Sequence, residues 1–162
     1  MHQIFVGLGS NHNREQNLRL AIGGLRAAFG SLDISPVYQT DAVGFKGEDF
    51  YNLVVAFQSD NDAETILTQL HQIEDRQGRD RSQPKYSSRS IDLDLLLFDH
   101  LVVDKNGVKV PRGEILFHAF VLRPLFDLAP DLFHPVEQRS YTELWQEMAP
   151  NAGKIIQVPL IF

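Results

Sequence analysis

Ile91-Asp92-Leu93-Asp94-Leu95-Leu96-Leu97-Phe98 reads as a β-strand with two unlike faces. Residues two apart on a strand share a face, so Ile91, Leu93, Leu95 and Leu97 are expected to point together into a core. Asp92 and Asp94 then point the other way, with Cα atoms about 6.8 Å apart. Two carboxylates side by side repel unless a cation lies between them. Hard oxygen ligands at this spacing suit Mg²⁺, which takes one or two carboxylates and completes its octahedron with water and phosphate oxygens. Two ions about 3.5–4 Å apart can also be bridged from such a pair. A bare Asp-x-Asp is more often an ordinary solvated face. Leu96 and Phe98, however, continue that face as apolar, which predicts that it is covered further along and that the carboxylates stand at the rim of a cavity.

The segment leading into this strand is basic. Arg76, Arg79, Arg81, Lys85 and Arg89 are five of the 15 basic residues in a chain whose net charge is −6. Residues 79–89 are polar and aperiodic and are expected to form an exposed, mobile loop. By themselves they could be a solvated loop paired with helix-face acids such as Glu74 and Asp75. Beside Asp92 and Asp94 they fit a polyphosphate site, in which a metal takes one set of oxygens and guanidinium forks take others. The same residues would equally serve a magnesium-dependent phosphohydrolase.

Further out, hydrophobic spacing sets the remaining elements. Gln3–Leu8 is a strand that runs into a turn at Gly7-Leu8-Gly9-Ser10-Asn11. Leu18, Ala21, Ile22, Leu25 and Phe29 recur at helical spacing and stop at Gly30. Ile34–Gln39 is a strand at an edge or interrupted by Pro36, residues 40–49 are a loop, and Phe50–Phe57 is a further strand. Ile66, Leu67, Leu70 and Ile73 form the buried stripe of a helix from Ala63 to about Gln77, with candidate N-caps at 59–62. Asn106-Gly107 predicts a hairpin within Leu101–Val110. Phe117–Leu128 is expected to be partly helical and broken near Pro124 and Pro130. A short helix over Tyr141–Met148 and a closing strand over Ile155–Val158 complete the chain. Helices mixed with hairpin-connected strands predict an α+β domain with a mainly antiparallel sheet.

Composition narrows the function classes. At 162 residues and 43% hydrophobic, the chain has the size and make-up of one globular domain. Its acidic balance argues against a dedicated nucleic-acid binder. The absence of cysteine excludes disulfides, thiolate metal sites and thiol nucleophiles. Met1-His2-Gln3-Ile4 has no basic run before an apolar core, so a cytoplasmic location without a membrane partner is expected. Gly7-Leu8-Gly9 lacks the third glycine of a dinucleotide fingerprint, and there is no Walker A sequence, zinc-type His-Glu-x-x-His or Gly-x-Ser-x-Gly. Phe45, Phe50, Tyr51, Tyr86 and Phe120 are aromatics able to stack on a flat heterocycle.

Taken together, these motifs resemble the 6-hydroxymethyl-7,8-dihydropterin pyrophosphokinases. The resemblance is carried by G-L-G-S-N at 7–11, Y-Q-T-x-x-V-G at 38–44, F-Y-N at 50–52 and I-E-x-x-x-G-R-x-R at 73–81. It continues through R-S-I-D-L-D-L-L-L-F at 89–98 and F-V-L-x-P-L-F-D-L-A-P at 120–130. It implies a ferredoxin-like α+β fold with helices packed on the sheet, and transfer of pyrophosphate from ATP to the pterin hydroxymethyl group. The working unit would be a monomer that acts on small molecules and not on nucleic acid.

By motif position, Asp92 and Asp94 would bind two Mg²⁺ ions, and Arg79 and Arg89 would engage the phosphates. Glu74, Arg81, Lys85, Leu95 and Arg112 would lie along the nucleotide. Thr40, Val43, Gly44, Phe50, Asn52 and Phe120 would line the pterin pocket. Within it Asn52 would read the ring's amide edge, Phe50 and Phe120 would stack on its faces, and Tyr86 would close over the site. The chain departs from the family pattern at Arg112 (usually His), His118 (usually Arg), Lys85 (usually Arg) and Tyr86 (usually Trp). A diverged relative that binds pterin or nucleotide with weak or no catalysis is the alternative reading.

Overall fold

The computed structural model describes residues 1–42, 47–78 and 91–162. A six-stranded sheet has the order β5-β1-β4-β3-β8, with the short β2 also pairing with β4. The strands are β1 (His2–Ser10), β2 (Asp33–Ile34), β3 (Val37–Thr40), β4 (Phe50–Ser59), β5 (Asp92–Phe98) and β8 (Ile156–Val158). Every pairing in it is antiparallel. A separate hairpin joins β6 (Val103–Lys105) to β7 (Val108–Val110). Its turn residues Asn106 and Gly107 both have positive φ, 55° and 80°, as a two-residue turn matched to strand twist requires.

One face of the sheet is covered by α1 (Arg14–Phe29) and α2 (Ala63–Arg76). Leu18, Ala21, Ile22 and Leu25 of α1 and Ile66, Leu70 and Ile73 of α2 pack on Ile4, Val6, Leu8, Leu53, Val55, Leu93 and Leu95. Burying each such side chain contributes roughly 1.5–3 kcal/mol. Asp62 caps α2 by accepting the Thr65 N–H at 2.8 Å, which satisfies a donor the helix leaves free. The opposite face carries α3 (Ala119–Leu128) and α4 (Tyr141–Met148), whose Leu122, Leu125, Tyr141 and Leu144 pack on Phe5, Val54, Ala56, Leu96 and Leu97. Among the described residues no helix is long and apolar enough to cross a membrane.

Three expectations need correction. Gly7-Leu8-Gly9 lies inside β1, paired with Val54, Leu53 and Asn52 of β4. Glycine there marks close packing, not a turn. In β5 the strict alternation fails, because Phe5 pairs with Leu97 and Val6 with Leu95, which leaves Leu96 as an extra residue. This β-bulge turns Leu97 onto the face of Leu96 and sends Phe98 to the α1/α2 side. Finally, α3 runs through Pro124. The proline has no N–H to give the Phe120 carbonyl, but burial of the helix's apolar stripe outweighs that one lost bond. The Pro36 interruption is as expected, since residues 33–40 form two short strands, β2 and β3, both paired with β4.

Candidate active site

Cross-strand register builds the floor of the site. Gly9 pairs with Asn52 on one side and Asp92 on the other, and Tyr38 continues the row from β3. In the next row Gly7 pairs with Val54 and Asp94. Directly paired residues share a face, so the carboxylates at the β5 edge and the Asn52 amide on β4 flank a strip of β1 that carries no side chains. At about 4.8 Å per strand spacing, Asp92 and Asn52 stand about 10 Å apart. α3 and α4 pack on Phe5, Val54 and Ala56 of this face, and among the described residues the strip at Gly7 and Gly9 is where a ligand can lie.

The Asn52 end is buried and fixed. Asn52 Nδ2 donates to Thr40 Oγ1 at 2.8 Å, and both residues are almost fully enclosed. A Cβ on Gly9 would sit 2.9 Å from Asn52 Oδ1, closer than any side chain tolerates. Gly9→Ala is therefore expected to push Asn52 aside and raise the KM for the heterocyclic substrate by about tenfold, since misplacement by 1 Å costs up to 10²-fold. An unchanged KM would show that the amide is not part of the pocket.

Phe50 edges the same region, half-buried, and Phe120 of α3 is half-buried with the His118 ring stacked on it at 4.7 Å between centroids. Two residues that the sequence reading left without a role hold α3 over the floor. The buried Tyr38 hydroxyl donates to Asp127, which also accepts from Arg123 Nε at 3.3 Å. Burial, then the Asp127 carboxylate, pushes the Tyr38 hydroxyl up to about 12, so it remains a donor throughout the neutral range. Phe120 and Asp127 are seven apart, on one side of α3, and this spacing was the available signal.

The carboxylate end is crowded. Glu74 is buried, not a solvated helix-face acid, and its Oε2 accepts the Leu93 N–H at 2.8 Å. The end of α2 thereby grips the edge strand between Asp92 and Asp94. Leu95 lies in the opposite core and is 3% exposed, so only its main chain, on the outer edge of the sheet, could reach a ligand. Arg112 is the visible counter-charge. Its Nη2 is 3.4 Å from Asp94 Oδ1 and its Nε 2.6 Å from Glu114 Oε2. Its main-chain N–H donates to the carbonyl of the bulged Leu96 at 2.9 Å. Arg79, Arg81, Lys85, Tyr86 and Arg89 of the basic loop, and Val43 and Gly44 of the expected pterin wall, lie outside the described residues.

Burial first, then the charge of Asp92, raises the Asp94 carboxyl to about 7; Arg112 opposes this, and Glu74 and Glu114 add to it. A folded-state pKa above the unfolded value of about 3.9 means that the folded chain binds the extra proton. The stability gained from this group is complete below pH 4 and is lost as pH rises towards 7. Asp94→Asn is therefore expected to stabilise the metal-free protein at pH 8 and not at pH 4. A third of the side chain remains open to water, so the expected gain is only about 1 kcal/mol. Urea unfolding in EDTA at the two pH values measures it, and equal stability of variant and parent at pH 8 would refute the repulsion.

The burial and like charge that raise Asp94 are what a divalent ion relieves. Among the described residues no three acidic or histidine side chains converge as a complete ligand set. Mg²⁺ takes one or two protein carboxylates when phosphates supply the rest.

An antiparallel sheet with helices on both faces, a pair of strand carboxylates and a buried amide across the glycine strip from them define a small α+β domain with a candidate site on one sheet face. Residues 5–130 match the model of the 7,8-dihydro-6-hydroxymethylpterin-pyrophosphokinase (HPPK) family, and the chain belongs to that family. It is 37% identical over 147 residues to the 2-amino-4-hydroxy-6-hydroxymethyldihydropteridine pyrophosphokinase of Pseudomonas aeruginosa, covering 83% of this chain and 85% of that one. It is 30% identical over 166 residues to the folic acid synthesis protein of Pneumocystis carinii, covering 98% of this chain but only 22% of the longer protein. In structure it is similar to wild-type HPPK-DHPS of Plasmodium falciparum, with a TM-score of 0.76 at 14% identity, over 99% of this chain and 48% of that one. The chain thus spans less than half of the larger proteins it resembles and most of the Pseudomonas enzyme.

Proposed function

We infer that the chain, as a monomer, transfers pyrophosphate from ATP to 6-hydroxymethyl-7,8-dihydropterin. The hydroxymethyl oxygen attacks the β-phosphorus, the bond from that phosphorus to the oxygen bridging to the α-phosphate breaks, and AMP leaves. The observation that carries this reading is the floor itself, in which the Asp92/Asp94 pair and Asn52 flank one glycine strip on opposite sides. That spacing allows a flat heterocycle to lie at one end with its side arm pointing at phosphates held at the other.

Asp92 and Asp94 would hold Mg²⁺, two ions by family resemblance, and bound metal would neutralise phosphate charge as the bridging bond breaks. The protein's part is alignment, because phosphoryl-type transfer asks for little covalent chemistry. Asn52 and Thr40 would fix the ring edge, and Phe50 and Phe120 would fix its plane. Arg79 and Arg89 would neutralise phosphate charge, with Arg81, Lys85, Arg112 and Glu74 along the nucleotide, and Tyr86, Val43 and Gly44 completing the enclosure. Strand order β5-β1-β4-β3 with α1 and α2 on one face supports the ferredoxin-like description, with β8 added at the β3 edge.

The test is AMP formation from ATP with and without the reduced pterin. Pterin-dependent AMP that disappears when Mg²⁺ is chelated is the expected result. ATP breakdown indifferent to pterin would instead make the protein a phosphohydrolase and leave the Asn52 pocket unexplained.

A further inference from the structure

We propose that Arg112 is a resident counter-ion on Asp94 that makes uptake of the divalent metal depend on the nucleotide. The inference rests on the pyrophosphokinase reading, since it assumes that Asp94 is a metal ligand. Two contacts hold the guanidinium where it is, and a third fixes the main chain of the same residue. Leu96, displaced by the β-bulge, offers its carbonyl to the Arg112 N–H at 2.9 Å, Glu114 grips Nε at 2.6 Å, and Asp94 faces Nη2 at 3.4 Å. The side chain is two-thirds enclosed, so its charge is poorly screened and acts on the carboxylates directly.

A free metal ion meets this cation at the carboxylate it would bind, and two positive charges within a few ångströms repel. When metal arrives with a triphosphate, the phosphates give Arg112 a bidentate anion to turn to, and Asp94 is released to the metal. Metal alone is therefore bound weakly, metal with nucleotide strongly, and the difference is a coupling energy that Arg112 carries. Arg112 acts here as a positioning residue, through Asp94. The Asp94–Arg112–Glu114 geometry carries the inference, and it accounts for arginine at this position in terms of the metal site.

The experiment titrates Mn²⁺ into the protein, with free Mn²⁺ followed by electron paramagnetic resonance, in the absence and presence of a non-hydrolysable ATP analogue. In Arg112→Met, affinity for Mn²⁺ alone is expected to rise at least about tenfold, because even fully aqueous screening leaves that much repulsion between one charge and a divalent ion a few ångströms away. The enhancement of Mn²⁺ affinity by the analogue is expected to fall by a similar factor. Arg112→Lys keeps the charge and should keep the parent's weak binding of Mn²⁺ alone, which a merely structural role for the side chain would not predict. Arg112→Gln serves in place of Met if that variant fails to fold. Unchanged or weaker binding of Mn²⁺ alone in the uncharged variants, with analogue-dependent uptake intact in the parent, would overturn this inference and leave the proposed reaction standing. If the parent shows no analogue-dependent uptake that Asp92→Ala abolishes, both fall together.

Discussion

If Asp92 holds the metal as proposed, alanine in its place is expected to lower AMP formation by roughly 10³-fold or more, because losing that carboxylate forfeits several kcal/mol of charge stabilisation at the transferring phosphate. The fold should survive the change. Asp92 is the first residue of β5 and only partly buried, and the strand is held by its neighbours. Ile91 and Leu93 sit in the core, and Glu74 bonds the Leu93 N–H. Removing the carboxylate also removes one of the charges that push Asp94 upward, so the metal-free variant should resist urea at least as well as the parent at pH 8. The two measurements together separate chemistry from folding. A rate within tenfold of the parent, in a folded protein, would take Asp92 out of the metal site and end the assignment.

How much of this could be read from the chain depended on which regularity each element obeyed. α1 and α4 follow helical spacing without interruption, α1 stops at Gly30 and α4 spans Tyr141–Met148, both as expected. β5 was legible only up to Leu95. A bulge inserts one residue without any change in hydropathy, so Leu97 and Phe98 looked identical to a period-two count while exchanging faces. The burial of Glu74 was illegible for a related reason. Its role is to satisfy a main-chain N–H of an edge strand 19 residues away, and nothing local marks a carboxylate as a partner for another strand's backbone. Gly7 and Gly9 invited a turn because glycine is the commonest turn residue, whereas here its lack of a side chain is used between Asn52 and the two aspartates. The acidic pair itself was plain in the sequence, because a single strand face carries both members. The proposed pterin end was not, because its residues Thr40, Asn52 and Phe120 come from three separate elements, and only family resemblance joined them.

The pterin end yields the second large effect. Asn52→Leu keeps nearly the same side-chain volume under Thr40 and Gly9, so the strand should pack normally. What it removes is a buried amide held ready by its bond to Thr40 Oγ1. A pocket built around hydrogen bonds discriminates strongly, because on loss of one partner both the substrate's polar edge and the protein group that faced it are buried unpaired. We expect kcat/KM for the pterin to fall by about 10³–10⁴-fold, with affinity for the ATP analogue and Mn²⁺ within about twofold of the parent. The contrast matters more than the size of the loss. Asn52 lies two strand spacings from Asp92, on the far side of Gly9, and it touches no group of the carboxylate cluster that the structure describes. If the two affinities fall together, the two ends of the floor act as one structural unit, and Asn52 is not the residue that reads the heterocycle. If only the pterin term moves, the glycine strip separates two independent binding sites, which is the arrangement that in-line transfer between two bound substrates requires.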